Sequence, residues 1–459
     1  MPTIALPSLA ETLQQRRKRL AQQVNFPVVL WSGRPSSRNY PANTYPFRAS
    51  SHFLYFAGLP LQNAAIRLEG DSLTLFMDEA TPEEALWHGP SATRAELAQE
   101  IGATAAYPLS ELQHQVDGAA TLPVVDAVTL VEQQALLGRA VMPTPRAAGQ
   151  DRRLAEAIVK IRLVHDEGAI AQLRQSAAAS VKAHIAGMAA TPKATTEAEV
   201  RAAMEQVIMA HGMTCAYNSI VTTHGEVLHN EQYHHPLNSG DLLLADVGAE
   251  AASGWASDIT RTWPVSGKFS STQRDLYDVV LAAHDACIAQ ACPGIEYRDL
   301  HLLACRVLAE GLVQLGILRG NPDSLVEQDA HALFFPHGVG HLLGLDVHDM
   351  EDLGDMAGYA EGRTRSDRFG LSFLRLDRPL QAGMAVTIEP GFYQVPGILN
   401  ESSRRECYQD VVNWERLAQF ADVRGIRIED DVLITETGCE ILTKALPTQA
   451  EAIEDLVNA

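Results

Sequence analysis

The feature that most limits what this chain can build is a change of pattern between Thr144 and Arg153. That stretch is rich in Pro, Gly, Ala and Arg and carries no hydrophobic period, the signature of a domain boundary. Before it, from about Phe26 to Val128, short apolar runs such as PVVLW and LTLFM alternate with Gly- and Pro-marked turns and with helical patterns like the one starting near Thr93. Such alternation predicts a small α/β domain. A chain of 459 residues exceeds one ordinary core, so the expectation is an N-terminal α/β domain over residues 1–150 and a second domain over 151–459.

The second domain opens helically. Ile170, Leu173, Ala177, Val181, His184, Ile185 and Met188 fall on one face at a 3.6 period. Thr196 and Glu199 read as a capping box ahead of Val200, Met204, Val207 and Ile208, with Gly212 as the stop. A third helix starts at Ser270 with Gln273 as its box partner, and a fourth runs from Asp299 to Leu315. Strand-like segments at Leu242 to Val247, Asp258 to Trp263, Met384 to Glu389 and Gly425 to Leu433 lie between and after them. Helices set apart from hairpin-linked strands predict an α+β domain.

Charge narrows the partners. Lys and Arg total 36 against 57 for Asp and Glu, a formal charge of -21, and such a field repels phosphate backbones, so no nucleic acid is expected. The basic run Arg16 to Arg19 reads as the solvated face of a first helix. The N-terminal MPTIALPSLAETLQQ lacks a signal-peptide pattern and no apolar run reaches a membrane span, so no membrane partner is expected. Six scattered cysteines (Cys215, Cys287, Cys292, Cys305, Cys407, Cys439) show no disulfide or zinc-ribbon spacing. They read as buried or inert thiols in a reducing cytoplasm.

The acids carry the chemistry. LLLADVGAEAASGWASDITRTWP sets Asp246 and Asp258 at the inner ends of two strands joined by a Gly-containing hairpin. Alone, each is also an ordinary turn former. HGVGHLLGLDVHD supplies His337, His341 and His348. Glu389 and Glu429 end apolar strand patterns where a core normally takes no charge. A buried ion pair with Arg427 accounts for one of these carboxylates but cannot serve all four. Two like charges about 4 Å apart repel by roughly 4 kcal/mol at an effective dielectric near 20, so a convergent set calls for multivalent cations.

The motifs DVG, SDITRT, HGVGH with GLDVHD, TIEPG and GIRIEDD, in this order, resemble the pita-bread metallopeptidases: aminopeptidase P, prolidase and their relative methionine aminopeptidase. The resemblance covers Arg153 to Leu446 and extends more weakly to NTYPFRASSHFLYFAGL, which is similar to an N-terminal domain that methionine aminopeptidases lack. It implies a C-terminal pita-bread domain with two divalent metal ions. Asp246 would bind one, Asp258 and Glu429 would bridge both, and His341 and Glu389 would complete the second. Manganese suits such oxygen-rich ligation, with zinc or cobalt as alternatives. The resemblance further implies proton transfer by Glu389, substrate contacts by His229 and His348, a pocket for proline shaped by His337, and support of the ligands by Arg427 and Tyr393. It implies peptide substrates with proline at the second position and a homodimer or homotetramer. A catalytically inactive binding module is disfavoured by the retention of all five ligands.

Two departures from the family pattern carry expectations of their own. Asp246 and Asp258 stand one position further apart than usual, which predicts a bulged or longer hairpin. A long stretch, GYAEGRTRSDRFGLSFLRLDRPLQAGM, precedes Glu389 and resembles prolidase, with Arg375 as the guanidinium that grips the free carboxylate of a dipeptide and Arg378 beside it. That predicts a lean toward Xaa-Pro dipeptides, with Xaa-Pro aminopeptidase as the alternative. Arg363, Arg365, Arg368, Arg375 and Arg378 would otherwise only solvate a surface loop.

Overall fold

A computed structural model describes residues 8–459; the first seven residues of the N-terminal stretch discussed above lie outside them. The chain forms two compact units. One takes in residues up to Gln172 with Ala252–Gly254 and Met350–Ala357, and the other comprises Leu173–Ala251, Trp255–Asp349 and Gly358–Ala459. The division falls inside a continuous helix, beyond the Pro- and Gly-rich stretch.

The first unit is built on a four-stranded sheet in which β1 (Val28–Trp31), β2 (Ala65–Glu69), β3 (Ser72–Phe76) and β4 (Ala105–Tyr107) are adjacent in that order. The first two pairings are antiparallel and the last is parallel. Val29, Trp31, Ala65 and Phe76 pack with Leu112, Val116, Ala119 and Val124 to form its core. Helix α1 (Leu9–Ala21) is closed by a capping box between Ser8 and Glu11. Only half of the basic run is solvated there, Lys18 being exposed and Arg19 partly so. Arg16 and Arg17 share the buried face of α1 with Leu13 and Leu20. Each finds acceptors inside: Arg16 pairs with Asp166 at 2.7 Å, and Arg17 donates to the Ile101 and Gly102 carbonyls at 3.1 and 2.9 Å. The helical period sets their direction, and the acceptors that satisfy them are too distant in sequence to be seen there.

In the second unit α2 (Glu167–Ala190) buries Leu173, Ala177, Val181, His184 and Met188, as its period requires. The cap of α3 (Glu197–Ala210) is displaced by one residue: Glu199 accepts from the Thr195 backbone at 2.6 Å, and Thr196 makes no side-chain cap. Thr196 is instead held extended in a bridge to Pro236. Helices α4 (Ser271–Gln290), with the expected Ser270–Gln273 box, and α5 (Tyr297–Gln314) pack together.

The strands form short antiparallel sheets. β6 (Leu242–Asp246) lies between β5 (Ile220–Thr222) and β7 (Thr260–Pro264). β8 (Ala385–Ile388) pairs with β11 (Asp430–Ile434), and β9 (Gly391–Tyr393) with β10 (Gly425–Arg427). Glu389 and Glu429 therefore sit at the joints where one strand pair gives way to the next. A joint leaves backbone groups free for new partners, and the Glu389 and Glu429 amides donate to the Val339 and Thr260 carbonyls at 2.8 and 3.0 Å. Beneath the joints Arg261 reaches Asp430 at 2.8 Å, both fully buried. Burial alone would raise the Asp430 carboxyl, but Arg261 holds it well below the usual range. Helices apart from antiparallel strands make this unit α+β.

Candidate metal centre

The hairpin between β6 and β7 is longer but not bulged. Thr260 pairs with Asp246, and the register continues through Val247 to Ile259 and Ala249 to Ser257. Alternation along both strands then puts Asp246 and Asp258 on one face as diagonal neighbours. Gly248 faces Asp258 across this ladder. A Cβ there would lie 1.8 Å from the Ser257 carbonyl oxygen and 3.0 Å from the Tyr217 ring, so only glycine lets the strands and the tyrosine close together.

Tyr217 exploits that closeness. Its hydroxyl lies 2.6 Å from Asp246 Oδ1 and 2.5 Å from Asp258 Oδ1. One hydroxyl proton can serve only one of the two oxygens at a time. Burial and the surrounding carboxylates push the Tyr217 phenol well above its ordinary value, so it remains a donor. Nothing in CAYNSI signals this role, because the residue is neither acidic nor a histidine.

The other acids arrive from the strand joints. Glu429 accepts from Thr260 Oγ1 at 2.6 Å. Asp258, His341 and Glu429 bring ligand atoms within 4.8 Å of one another, and Asp246 and Glu389 line the same cavity of about 430 Å³. His341 Nδ1 donates to the Leu342 carbonyl at 2.9 Å, which turns Nε2 toward Asp258 Oδ2 at 3.4 Å and Glu389 Oε1 at 3.5 Å. Donor spacings of that size suit a shared ion bound at roughly 2.0–2.2 Å, and a backbone-anchored Nδ1–H is how a metal-binding imidazole is fixed.

The electrostatics make the same demand. Burial pushes Glu389 up to about 7, His341 and Arg427 draw it down, and Asp258 and Asp246 oppose them. Burial, then Asp258, Glu389 and Asp246, push Glu429 well above the carboxylate range. Asp246 is raised by burial against the pull of Arg427. Arg427 does not relieve Glu429 through an ion pair. Its Nη2 donates to Asp246 Oδ2 at 2.6 Å, its Nε to Thr260 Oγ1 at 3.0 Å and its Nη1 to the Tyr393 hydroxyl at 2.8 Å. One guanidinium and one imidazole cannot compensate four clustered carboxylates, two buried and two nearly so, and a donor set of acidic oxygens with one imidazole fits divalent cations.

The remaining expected residues surround this cluster. The His348 ring stands 4.2 Å from that of His341, and His229 lines the cavity with Leu228. His337 is fully engaged: Nδ1 donates to the Gly338 carbonyl at 2.8 Å, so Nε2 accepts from the Tyr393 hydroxyl at 2.9 Å. Burial, then Arg427, push His337 down to about 3, which keeps it neutral. The five arginines divide. Arg365 and Arg375 line the cavity beside Phe373, whereas Arg363 pairs with Glu296 and Asp377, Arg368 with Asp329, and Arg378 donates to the Tyr359 carbonyl.

The comparisons with known proteins are full-length. The family profile for metallopeptidase family M24 matches residues 171–436, and that for the aminopeptidase P N-terminal domain matches residues 13–122. A Xaa-Pro aminopeptidase from Haemophilus influenzae is 33% identical over 98% of this chain and 97% of its own length. Among solved structures, an Escherichia coli aminopeptidase P variant in complex with substrate superposes with a TM-score of 0.81 at 28% identity, covering 99% of both chains. Pseudomonas aeruginosa aminopeptidase PepP does so at 0.78 and 29%, again over 99% of each.

Proposed function

The chain belongs to metallopeptidase family M24, and from that premise we propose that it is an Xaa-Pro aminopeptidase, releasing the N-terminal residue from peptides with proline second. The observation that carries this reading is the convergence of Asp246, Asp258, His341, Glu389 and Glu429 on one cavity. The aminopeptidase assignment is supported by relatives of that name matched over nearly their whole length, N-terminal domain included. The lean toward dipeptides drawn from Arg375 is given up. Phe373, on the same cavity, is 63% exposed, and an apolar ring there suits residues beyond proline.

Two divalent ions, manganese by preference, would be held by those five side chains and would supply Lewis acidity and an acidified water. Proline makes its peptide bond a tertiary amide without N–H, so the leaving nitrogen must acquire a proton. Glu389, between the cluster and the open cavity, accepts a proton from the attacking water and delivers it to that nitrogen. His348 and His229 donate to the substrate, His348 to the carbonyl oxygen as negative charge develops. Arg427, Thr260 and Tyr217 hold the acids in place. The Tyr393–His337 hydrogen bond fixes the wall where the proline ring sits.

Parallel kinetics on an Xaa-Pro dipeptide and the matching Xaa-Pro-Yaa tripeptide test the choice. The tripeptide should be cut with the higher kcat/KM, releasing the N-terminal residue. Preference for the dipeptide, lost in Arg375→Ala, would return the protein to the dipeptidases.

A further inference from the structure

Away from the acidic centre, a second group of donors has a different chemistry. His301 and Cys305 are one turn apart on α5 and face the same way. Both are fully buried, with Cys305 Sγ 3.5 Å from His301 Nε2. His331, on the short 3-10 turn Ala330–Leu333, is 2% exposed. Neither of its ring nitrogens finds a partner at good hydrogen-bond geometry among the described residues, the Leu325 carbonyl making only a weak contact. A buried polar atom left unsatisfied costs about 1–3 kcal/mol, so such a ring calls for a ligand. The donor atoms of all three residues lie within 4.8 Å of one another.

We propose that His301, Cys305 and His331 form a separate soft metal site that takes one Zn²⁺. Zinc bonds of about 2.3 Å to sulfur and 2.0–2.1 Å to nitrogen place neighbouring donors roughly 3.3–3.6 Å apart, so the His301–Cys305 pair is already spaced for it. In the metal-free chain His301 Nε2 donates a hydrogen bond to the Gly370 carbonyl at 2.9 Å; binding would move that proton to Nδ1, free the Nε2 lone pair for the ion and leave the carbonyl oxygen as a fourth donor. That backbone approaches so closely that a Cβ on Gly370 would stand 2.8 Å from His331 Nε2. Burial pushes His301 down to about 4 and His331 to about 3, so both imidazoles are neutral. Burial also holds Cys305 as a thiol. Binding therefore exchanges the S–H bond for a Zn–S bond and releases one proton to solvent.

The acidic centre, with no sulfur, suits harder ions; this site suits a borderline one. The ion would tie α5, the turn at His331 and the Gly370 backbone together. The His301 ring packs on Phe335 at 5.7 Å, and Phe335 on His337 at 4.8 Å. The clip thus supports one wall of the catalytic cavity from behind, and the same Gly370 segment leads on to Phe373 and Arg375.

Cobalt reports the site selectively, because only thiolate ligation gives sulfur-to-cobalt charge-transfer absorption in the near ultraviolet. The full-length apo chain titrated with Co²⁺ should develop that band to one equivalent, and Zn²⁺ should erase it. Cys305→Ser and His331→Ala should lose it, while Glu429→Gln, altered only at the acidic centre, should keep it. Absence of the band in the wild type, or its persistence in Cys305→Ser, overturns the proposal and leaves three packed core residues. If the Cys305 variant does not fold, zinc-edge absorption of the wild type loaded with Zn²⁺ decides the matter: a sulfur shell supports the site, and a purely nitrogen and oxygen environment refutes it.

Discussion

Tyr217 shows how a side chain without charge can organise a charged site. Its hydroxyl touches both aspartates, so Tyr217→Phe removes the one proton that the two carboxylates share. Loss of such a supporting hydrogen bond typically costs roughly 10- to 100-fold in metal affinity or activity. We expect weaker Mn²⁺ binding of that order by isothermal titration, with the fold intact by circular dichroism; unchanged affinity would reduce Tyr217 to packing. His348→Ala separates chemistry from binding. It should lower kcat by on the order of 100-fold, as loss of one oxyanion donor does, with metal content unchanged. Equal kcat would exclude it from the reaction. Glu389 and Glu429 were legible in the sequence because charge at the end of an apolar strand is anomalous by itself, whereas the aspartates and histidines stood out only within the family motifs. Tyr217 and Thr260 were not, since a tyrosine and a threonine near strands are commonplace and only the fold aims them.

At the scale of elements, the strand joints and the long hairpin do the positioning. The apolar runs that predicted four strands ended as predicted near Asp246 and Glu389, but the run from Gly425 to Leu433 breaks at Ile428–Glu429 and changes partner. Side-chain periodicity is blind to such a break, because both halves are buried throughout and neither alternates. The same limit explains the displaced cap at Thr195 and the buried Arg16 and Arg17, whose partners lie far away in sequence. The hairpin depends on Gly248. Gly248→Ala must push the Ser257 strand away, costing about 1–3 kcal/mol or more by overpacking and moving Asp258, so urea denaturation should show lower stability together with reduced metal binding. Arg261→Met tests the ion pair under the joints. It leaves buried Asp430 with only His284 and Thr443 as partners and should destabilise by about 3–5 kcal/mol in the same assay. A loss below 1 kcal/mol would mean that the pair is dispensable.

Over the whole molecule, the chain forms two units that divide at Gln172 rather than at the change of pattern between Thr144 and Arg153, and the acidic centre lies within the second. The long segment before Glu389 was misleading because its arginines look alike in sequence, whereas Arg363, Arg368 and Arg378 are bound away from the cavity and Arg365 and Arg375 line it. Bound ions would also add to the stability of this unit. A ligand at 100 times its dissociation constant stabilises the native state by about 2.7 kcal/mol per site, so chelation should lower the melting temperature as well as abolish activity. The most direct test of the central claim is the manganese content of the reconstituted protein, measured by elemental analysis on wild type and ligand variants, since Mn²⁺ is too hard an ion for the cysteine-containing cluster. Wild type should hold two Mn²⁺ per chain, Asp258→Asn and Glu429→Gln should weaken or empty both sites, and His341→Ala should spare one. A wild-type chain that is active without stoichiometric metal, or that keeps both ions in Glu429→Gln, would contradict the account.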